Sequence, residues 1–344
     1  MIGIISEYFD GLGKVLLKNL PQVVQGMVRS GSSSVWAMAR TMSQDNGQTF
    51  KANEKRINRV LQAEDFQVND FMWRKYVNLL MDSLTERDLI KTGKDILINV
   101  DYTSDTDEFL ILMASVDFGG RSVPLYFSMR SYPQKKGQFD QKKMEEAFIK
   151  ELRHLLPKKY TYTIVADRGF GNDRFAQLCS KNGFNYVLRI SDNLNIQIGD
   201  NKLNLKSFDG KNTEFVAYVK AWKREANFEI TTKDGSTWFL FSSFPVGHQY
   251  SGIYQKRFAI EKCFQDQKSS GFNIEKTKIR KYDRFKRLYF IMSLAQLFTV
   301  MVGEYIENKK HPLKKRFHIL AEAISVFSSS DGMFARDSFE LRSE

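Results

Sequence analysis

Apolar residues in the first ninety positions recur at a helical period, across residues 4–17, 35–42, 57–61 and 71–84. The turn-forming stretches Gly31 to Ser34 and Asp45 to Gly47 interrupt them. The opening of the chain is therefore expected to be helical throughout. At Asp95 the period changes. Residues 96–101, 109–117 and 122–129 are rich in β-branched and aromatic side chains, and the last two runs are joined through Phe118-Gly119-Gly120, so they predict an antiparallel meander of three strands. A helix over 141–156, a strand over 160–167, a helix over 173–181 and a strand over 185–190 follow. Residues 194–198, 215–222, 228–232 and 238–242 read as further strands, with turns at Gly199-Asp200, Asp209-Gly210 and Asp234-Gly235. Helices return over 248–270, 283–307 and 313–326, and no internal repeat is visible.

The succession βββαβαβ is that of an RNase H-like domain. The expected class is α/β: an RNase H-like catalytic domain with a β-rich insertion, preceded by an all-helical N-terminal domain. The expected divisions are a helical DNA-binding domain at 1–90, RNase H-like parts at 91–190 and 248–310, the insertion at 191–247, and a C-terminal helix and tail at 311–344.

Charge narrows the partner. The 344 residues carry 52 Lys+Arg against 40 Asp+Glu, a net charge of +12 that suits a polyanion. Eleven basic and four acidic residues lie between Lys256 and Arg287 and leave +7 there, more than half of the excess. Within that stretch Lys276, Lys278, Arg280 and Lys281 look like a phosphate-tracking segment. Arg40, Lys51, Lys55, Arg56 and Arg59 cluster on the two helices flanking Asn46-Gly47, a helix-turn-helix-like arrangement; a solvated helical face is the plainer alternative. The two cysteines, Cys179 and Cys263, are too few for a disulfide framework and fit a reducing, cytoplasmic compartment. The four His, at 154, 248, 311 and 318, lack metal-ligand spacing, and no phosphate-binding glycine loop appears. The most apolar stretch, 288–303, is shorter than the ~20 residues of a membrane span and reads as a core helix. No membrane partner is expected, nor a secretory signal at the N-terminus.

Two carboxylates stand out. Asp101 and Asp167 each end an apolar strand, so an RNase H-like sheet would deliver them side by side. Hard oxygen ligands in that arrangement suit Mg2+. Two ions held ~4 Å apart stabilise the attacking and leaving oxygens of an in-line phosphoryl displacement. Strand-end Asp residues are also common turn formers, and Asp105, Asp107 and Asp117 are read that way.

A third acid changes the balance. Tyr254, Arg257, Glu261 and Lys268 stand at offsets of 0, 3, 7 and 14, and on a continuous helix these fall within about 60° of one another. The spacing Y-(2)-R-(3)-E-(6)-K, together with Asp101-Tyr-Thr103 and Asp167-Arg-Gly-Phe170, resembles the signature of the IS-four group of insertion-sequence transposases. The likeness covers about residues 95–290. It implies DNA transposition, in which Asp101, Asp167 and Glu261 are catalytic ligands of two Mg2+ ions, replaceable by Mn2+. It also implies terminal phosphates held by Tyr254, Arg257 and Lys268, with Arg168 among the DNA contacts. Some relatives stack a flipped base on a Trp in the last strand before the signature helix, and Trp238 is similarly placed. The implied partners are transposon-end and target DNA, bound by a dimer during synapsis, in the cytoplasm and at the nucleoid. Two alternatives stay open: a catalytically silent, transposase-derived DNA-binding protein, and a structure-selective RNase H-like nuclease.

Overall fold

The computed structural model describes residues 1–86, 95–105, 108–131, 140–269 and 271–307. The expected helix at 313–326, the tail, His311, His318 and Asp107 lie outside the described residues.

Five helices open the chain: α1 (Ile2–Tyr8), α2 (Lys14–Ser30), α3 (Val35–Asn46), α4 (Phe50–Gln62) and α5 (Asp70–Glu86). The single helix expected over 4–17 is divided at Gly11, whose φ of 89° is left-handed backbone that glycine adopts freely. α2 then runs on to Ser30, burying Leu20, Val23, Val24 and Met27. Asn46 and Gly47 end α3, and the Thr49 hydroxyl caps α4 by accepting from the Ala52 amide at 3.3 Å.

The strands β1 (Asp95–Asp105), β2 (Phe109–Phe118), β3 (Arg121–Ser131), β4 (Thr161–Ala166) and β5 (Asn185–Arg189) interleave with α6 (Gln141–Leu155) and α7 (Asp173–Lys181). Their order in the sheet is β3-β2-β1-β4-β5. β1 runs antiparallel to β2 and parallel to β4, and β4 is parallel to β5. The segment expected as an insertion supplies β6 (Asn195–Ile198), β7 (Asn201–Asn204), β8 (Thr213–Val219), β9 (Arg224–Lys233) and β10 (Ser236–Ser242). These strands form no separate layer. β10 pairs antiparallel with β5, and the whole becomes one ten-stranded sheet.

After the sheet come α8 (Tyr250–Gln255), α9 (Ala259–Lys268) and α10 (Tyr282–Glu307). The continuous helix expected over 248–270 is interrupted by a 3-10 turn at Lys256–Phe258. α10 is long and apolar enough to cross a membrane, but it is a core helix, buried without a break from Arg287 to Phe298. Arg287 donates to the carbonyls of Phe66 at 2.6 Å and Leu61 at 3.1 Å, and Arg284 donates to Asn58 at 2.9 Å. The N-terminal helices are thereby tied to α10, and they share one hydrophobic cluster with the sheet.

Side chains alternate across β3: Tyr126 meets Phe148 of α6, while its neighbour Phe127 meets Tyr289 of α10. Helices thus cover both faces of this half of the sheet. Its outer edge is closed by α5, where Trp73 touches Tyr126, Phe127 and Phe290, and Tyr76 donates to the Pro124 carbonyl at 2.6 Å. Covering an edge strand in this way removes a template for aggregation.

Candidate active site

Strand register brings the first two acids together. Val100 of β1 lies opposite Ala166 of β4, so Asp101 and Asp167 are the next residues along neighbouring parallel strands. Asp167 follows the end of β4 as expected, whereas Asp101 lies inside β1, which pairs with β2 as far as Asp105, a residue expected in a turn. Alternation then decides which face they serve. Tyr102 turns toward α6, stacking on Phe170 at 5.4 Å, while Asn99 and Asp101 turn toward the helices after the insertion.

The Asp167-Arg-Gly-Phe-Gly segment is built around its first residue. The Asp167 carboxylate accepts from the Gly169 amide at 2.9 Å and caps a 3-10 turn at Arg168–Phe170. Phe170 anchors the turn between Tyr102 and Phe175. Gly171 passes so close to β5 that a Cβ there would stand 2.0 Å from the Arg189 carbonyl oxygen. Only glycine allows that approach.

The third acid arrives through Arg257. Asn99 donates to the Lys256 carbonyl at 3.2 Å, which ties β1 to the 3-10 turn. From that turn the Arg257 guanidinium reaches Asp101 Oδ2 at 3.2 Å and Glu261 Oε1 at 2.5 Å. One buried cation thus bridges two acids that lie 160 positions apart in the chain. The Asp101 side chain is 19% exposed and that of Glu261 is 54% exposed, so the site opens to solvent on the Glu261 side. Burial pushes the Asp101 carboxyl up to about 6, with the neighbouring Asp167 and Glu261 charges adding to the rise and the Tyr102 amide and Arg257 opposing it. The Arg257 pKa is raised by Tyr254, Glu261 and Asp101, against the effect of its burial.

The helix carrying Tyr254, Arg257, Glu261 and Lys268 does not present them as one exposed stripe. The 3-10 turn changes the phase between the first two and the last two. Tyr254 is fully buried against Val165, Val187, Trp238 and Leu240, and Arg257 is 6% exposed. Glu261 faces solvent, and Lys268 lies 3.9 Å from Glu275. Trp238 is also buried, at 7% exposure, with its ring edge-on to Tyr254 at 5.2 Å. The aromatic exposed at this corner is Phe258, 40% accessible and 4.7 Å from the Arg257 guanidinium. Buried contacts behind the helix fix its position: Tyr289 donates to Gln267 at 2.5 Å, and Gln267 donates to Gln296 at 2.9 Å.

The basic residues divide likewise. Lys276, Lys278 and Arg280 are exposed and alternate with buried Thr277 and Ile279; Lys281 is exposed beside them. Arg280 pairs with Glu108 at 2.8 Å. Arg168 is exposed next to Asp167. On α4, Lys51, Lys55 and Arg59 form an exposed stripe at four-residue spacing. Arg56 instead turns back onto Asn53 at 2.7 Å and Gln48 at 2.8 Å and holds the turn after α3. The sequence offered no sign of Asn99 as a tether, of Phe258 as the exposed ring, or of Glu229 of β9, whose carboxylate accepts from the Ser251 amide at 3.1 Å and starts α8. The paired glycines of the Asp167 motif were the one clue to the tight approach at Gly171.

Among the described residues no group of three or more His, Cys, Asp and Glu side chains closes into an ion cage. The donors nevertheless fit a hard divalent ion. They are carboxylate oxygens, and Asp101, whose pKa is raised first by burial and then by the Asp167 charge, is a group whose ionised form such an ion would favour. Asn99 adds a buried side-chain carbonyl without a hydrogen-bond partner next to the site.

Residues 138–298 match the family model described as the transposase DDE domain. The matched segment contains Asp167 and Glu261 but begins after Asp101. No curated protein matches the chain. Among solved structures, an endonuclease V from Bacillus subtilis is similar at 11% identity, covering 69% of this chain and 94% of its own, with a TM-score of 0.26. A likeness at that score bears no weight for fold or activity. The match supports a DDE transposase over 161 of the 344 residues.

Proposed function

We propose that this protein is a DNA transposase of the IS-four group, which binds transposon ends and carries out metal-dependent cleavage and strand transfer. The reading rests on the placement of three acids: Asp101 and Asp167 at adjacent positions along neighbouring parallel strands, and Glu261 joined to Asp101 through Arg257. Asp101, Asp167 and Glu261 would hold two Mg2+ ions, which supply charge stabilisation to the attacking and leaving oxygens of the phosphoryl group.

Cleavage inserts a water oxygen at phosphorus and expels the 3′ oxygen, leaving a 3′-OH and a 5′-phosphate. The freed 3′-OH then attacks a target phosphodiester and displaces a new 3′-OH, so each bond broken is matched by one formed. Neither step needs a covalent protein intermediate. The chain's own residues bind and orient the strands. Exposed Arg168 follows Asp167 and half-buried Lys268 ends the helix that carries Glu261, and the exposed series Lys276, Lys278, Arg280 and Lys281 supplies phosphate contacts along the backbone. Phe258 offers an exposed ring beside the acids, whereas Trp238 underlies the helix and supports Tyr254 and Phe258. The α4 stripe of Lys51, Lys55 and Arg59 is the surface that would meet the transposon end, with Arg56 shaping the turn beside it. Two ends held together require two protomers, so a synaptic dimer belongs to this reading.

The test is incubation of the full chain with Mg2+, a labelled duplex carrying the element's terminal repeat, and a supercoiled target. Labelled strands joined to the target support transposition. Cleavage without any joined product points to a nuclease, and binding without cleavage to a silent DNA-binding descendant.

A further inference from the structure

The Arg257 guanidinium engages two of the three acids proposed as metal ligands. It spans Asp101 Oδ2 at 3.2 Å and Glu261 Oε1 at 2.5 Å, and it lies 4.7 Å from the Phe258 ring centroid and 5.7 Å from that of Tyr254. We propose that Arg257 is a built-in competitor of the divalent ion, a resident cation that must release Asp101 and Glu261 before an ion can bridge them. This rests on the reading of Asp101, Asp167 and Glu261 as metal ligands.

Geometry favours competition over simple support. A carboxylate oxygen that accepts a charge-assisted hydrogen bond at 2.5 Å cannot also face a divalent ion on that lone pair. Both partners of the guanidinium are candidate ligands, and among the described residues its Nε finds no acceptor. The pairing therefore leaves a donor of the fork unused. A planar fork with spare donors matches a phosphate better than two separated carboxylates. Release is also open on one side, because the Glu261 side chain is 54% exposed. In this arrangement a single guanidinium charge stands against the carboxylates of Asp101 and Glu261, and a DNA phosphate that draws Arg257 away would raise metal affinity. By linkage, metal would raise DNA affinity by the same factor.

Mn2+ serves as the probe, with free ion counted by electron paramagnetic resonance in titrations of the full chain without DNA. Arg257→Gln is expected to tighten Mn2+ binding by about fivefold or more, the lower end of typical coupling between sites. Arg257→Lys, which keeps the charge but cannot fork to both carboxylates, is expected to lie between Gln and wild type. If Gln does not fold by circular dichroism, the Lys variant decides alone: tightening supports the competitor, and unchanged or weaker binding overturns it. Asp101→Asn and Asp167→Asn separate the two ideas. If both variants abolish Mn2+ binding while Arg257→Gln leaves it unchanged, the competitor is overturned and the ligand reading stands. If Mn2+ binding survives both Asp changes, the ligand reading itself fails and the competitor falls with it.

Discussion

Asp101→Asn should make the metal-free protein more stable at neutral pH while removing its activity. Asp101 has its pKa raised from 3.8 to about 6 in the folded chain, so the native state holds this proton more tightly than the unfolded one. The stabilisation from that proton is fully present below the unfolded pKa and is lost as pH rises through about 6. A difference of about two pKa units corresponds to ~3 kcal/mol, which is the cost of keeping the carboxylate ionised above pH 7. An isosteric amide carries no such cost, though it gives up the charge opposite Arg257, so a net gain of about 1–2 kcal/mol is expected. Urea unfolding in EDTA, measured from pH 4 to 8, reads this directly. Wild-type stability should fall between pH 4 and 6 relative to Asp101→Asn, and the variant should be the more stable at pH 7.5. Mg2+ should then narrow the gap by stabilising only the wild type. An Asn variant that is less stable at pH 7.5, or that shows the same pH slope as wild type, would refute the argument that burial and the neighbouring acids disfavour the Asp101 carboxylate.

Three further outcomes follow from packing. Gly171→Ala places a Cβ 2.0 Å from the Arg189 carbonyl oxygen, a backbone atom that cannot rotate away, so a loss of about 3 kcal/mol in urea unfolding is expected together with loss of cleavage. Arg287→Ala strands two buried carbonyls at Phe66 and Leu61 and should cost about 2–5 kcal/mol, seen as a lower denaturation midpoint with the metal-binding acids intact. Trp238→Ala should cost about 3–5 kcal/mol, because the ring is buried against Tyr254 and Phe258; a thermal melt within a degree of wild type would show that the ring is not part of the core.

The strand ends were the legible part of the site. An apolar run that meets an Asp marked Asp101 and Asp167, although β1 in fact continues past Asp101 to Asp105, so only Asp167 lies at a strand end. Glu261 is legible for a different reason, its fixed spacing to Tyr254, Arg257 and Lys268. What escaped the sequence is phase and pairing. A helical wheel assumes 3.6 residues per turn, and the 3-10 turn at Lys256–Phe258 breaks that assumption just where Arg257 turns inward. Burial of Tyr254 and Trp238 depends on their facing each other across strands and helix, which no local period reports. The joining of β10 to β5 is likewise a long-range choice of edge, invisible in strands that read the same whether they form a second layer or extend the first. Gly11 was visible as a residue, but only its positive φ reveals that α1 and α2 are separate.

The central claim is that Asp101, Asp167 and Glu261 act together on a DNA phosphodiester. It is tested most directly by comparing wild type, Asp101→Asn, Asp167→Asn and Glu261→Gln in a single-turnover cleavage assay with Mg2+ on a terminal-repeat duplex, with a gel shift run in parallel. Each variant is expected to bind the duplex within about threefold of wild type, since none removes a basic contact. Cleavage should fall below detection in all three. Cleavage at the wild-type rate by any one of them would contradict the assignment of that acid, and cleavage by all three would place the chemistry elsewhere in the molecule.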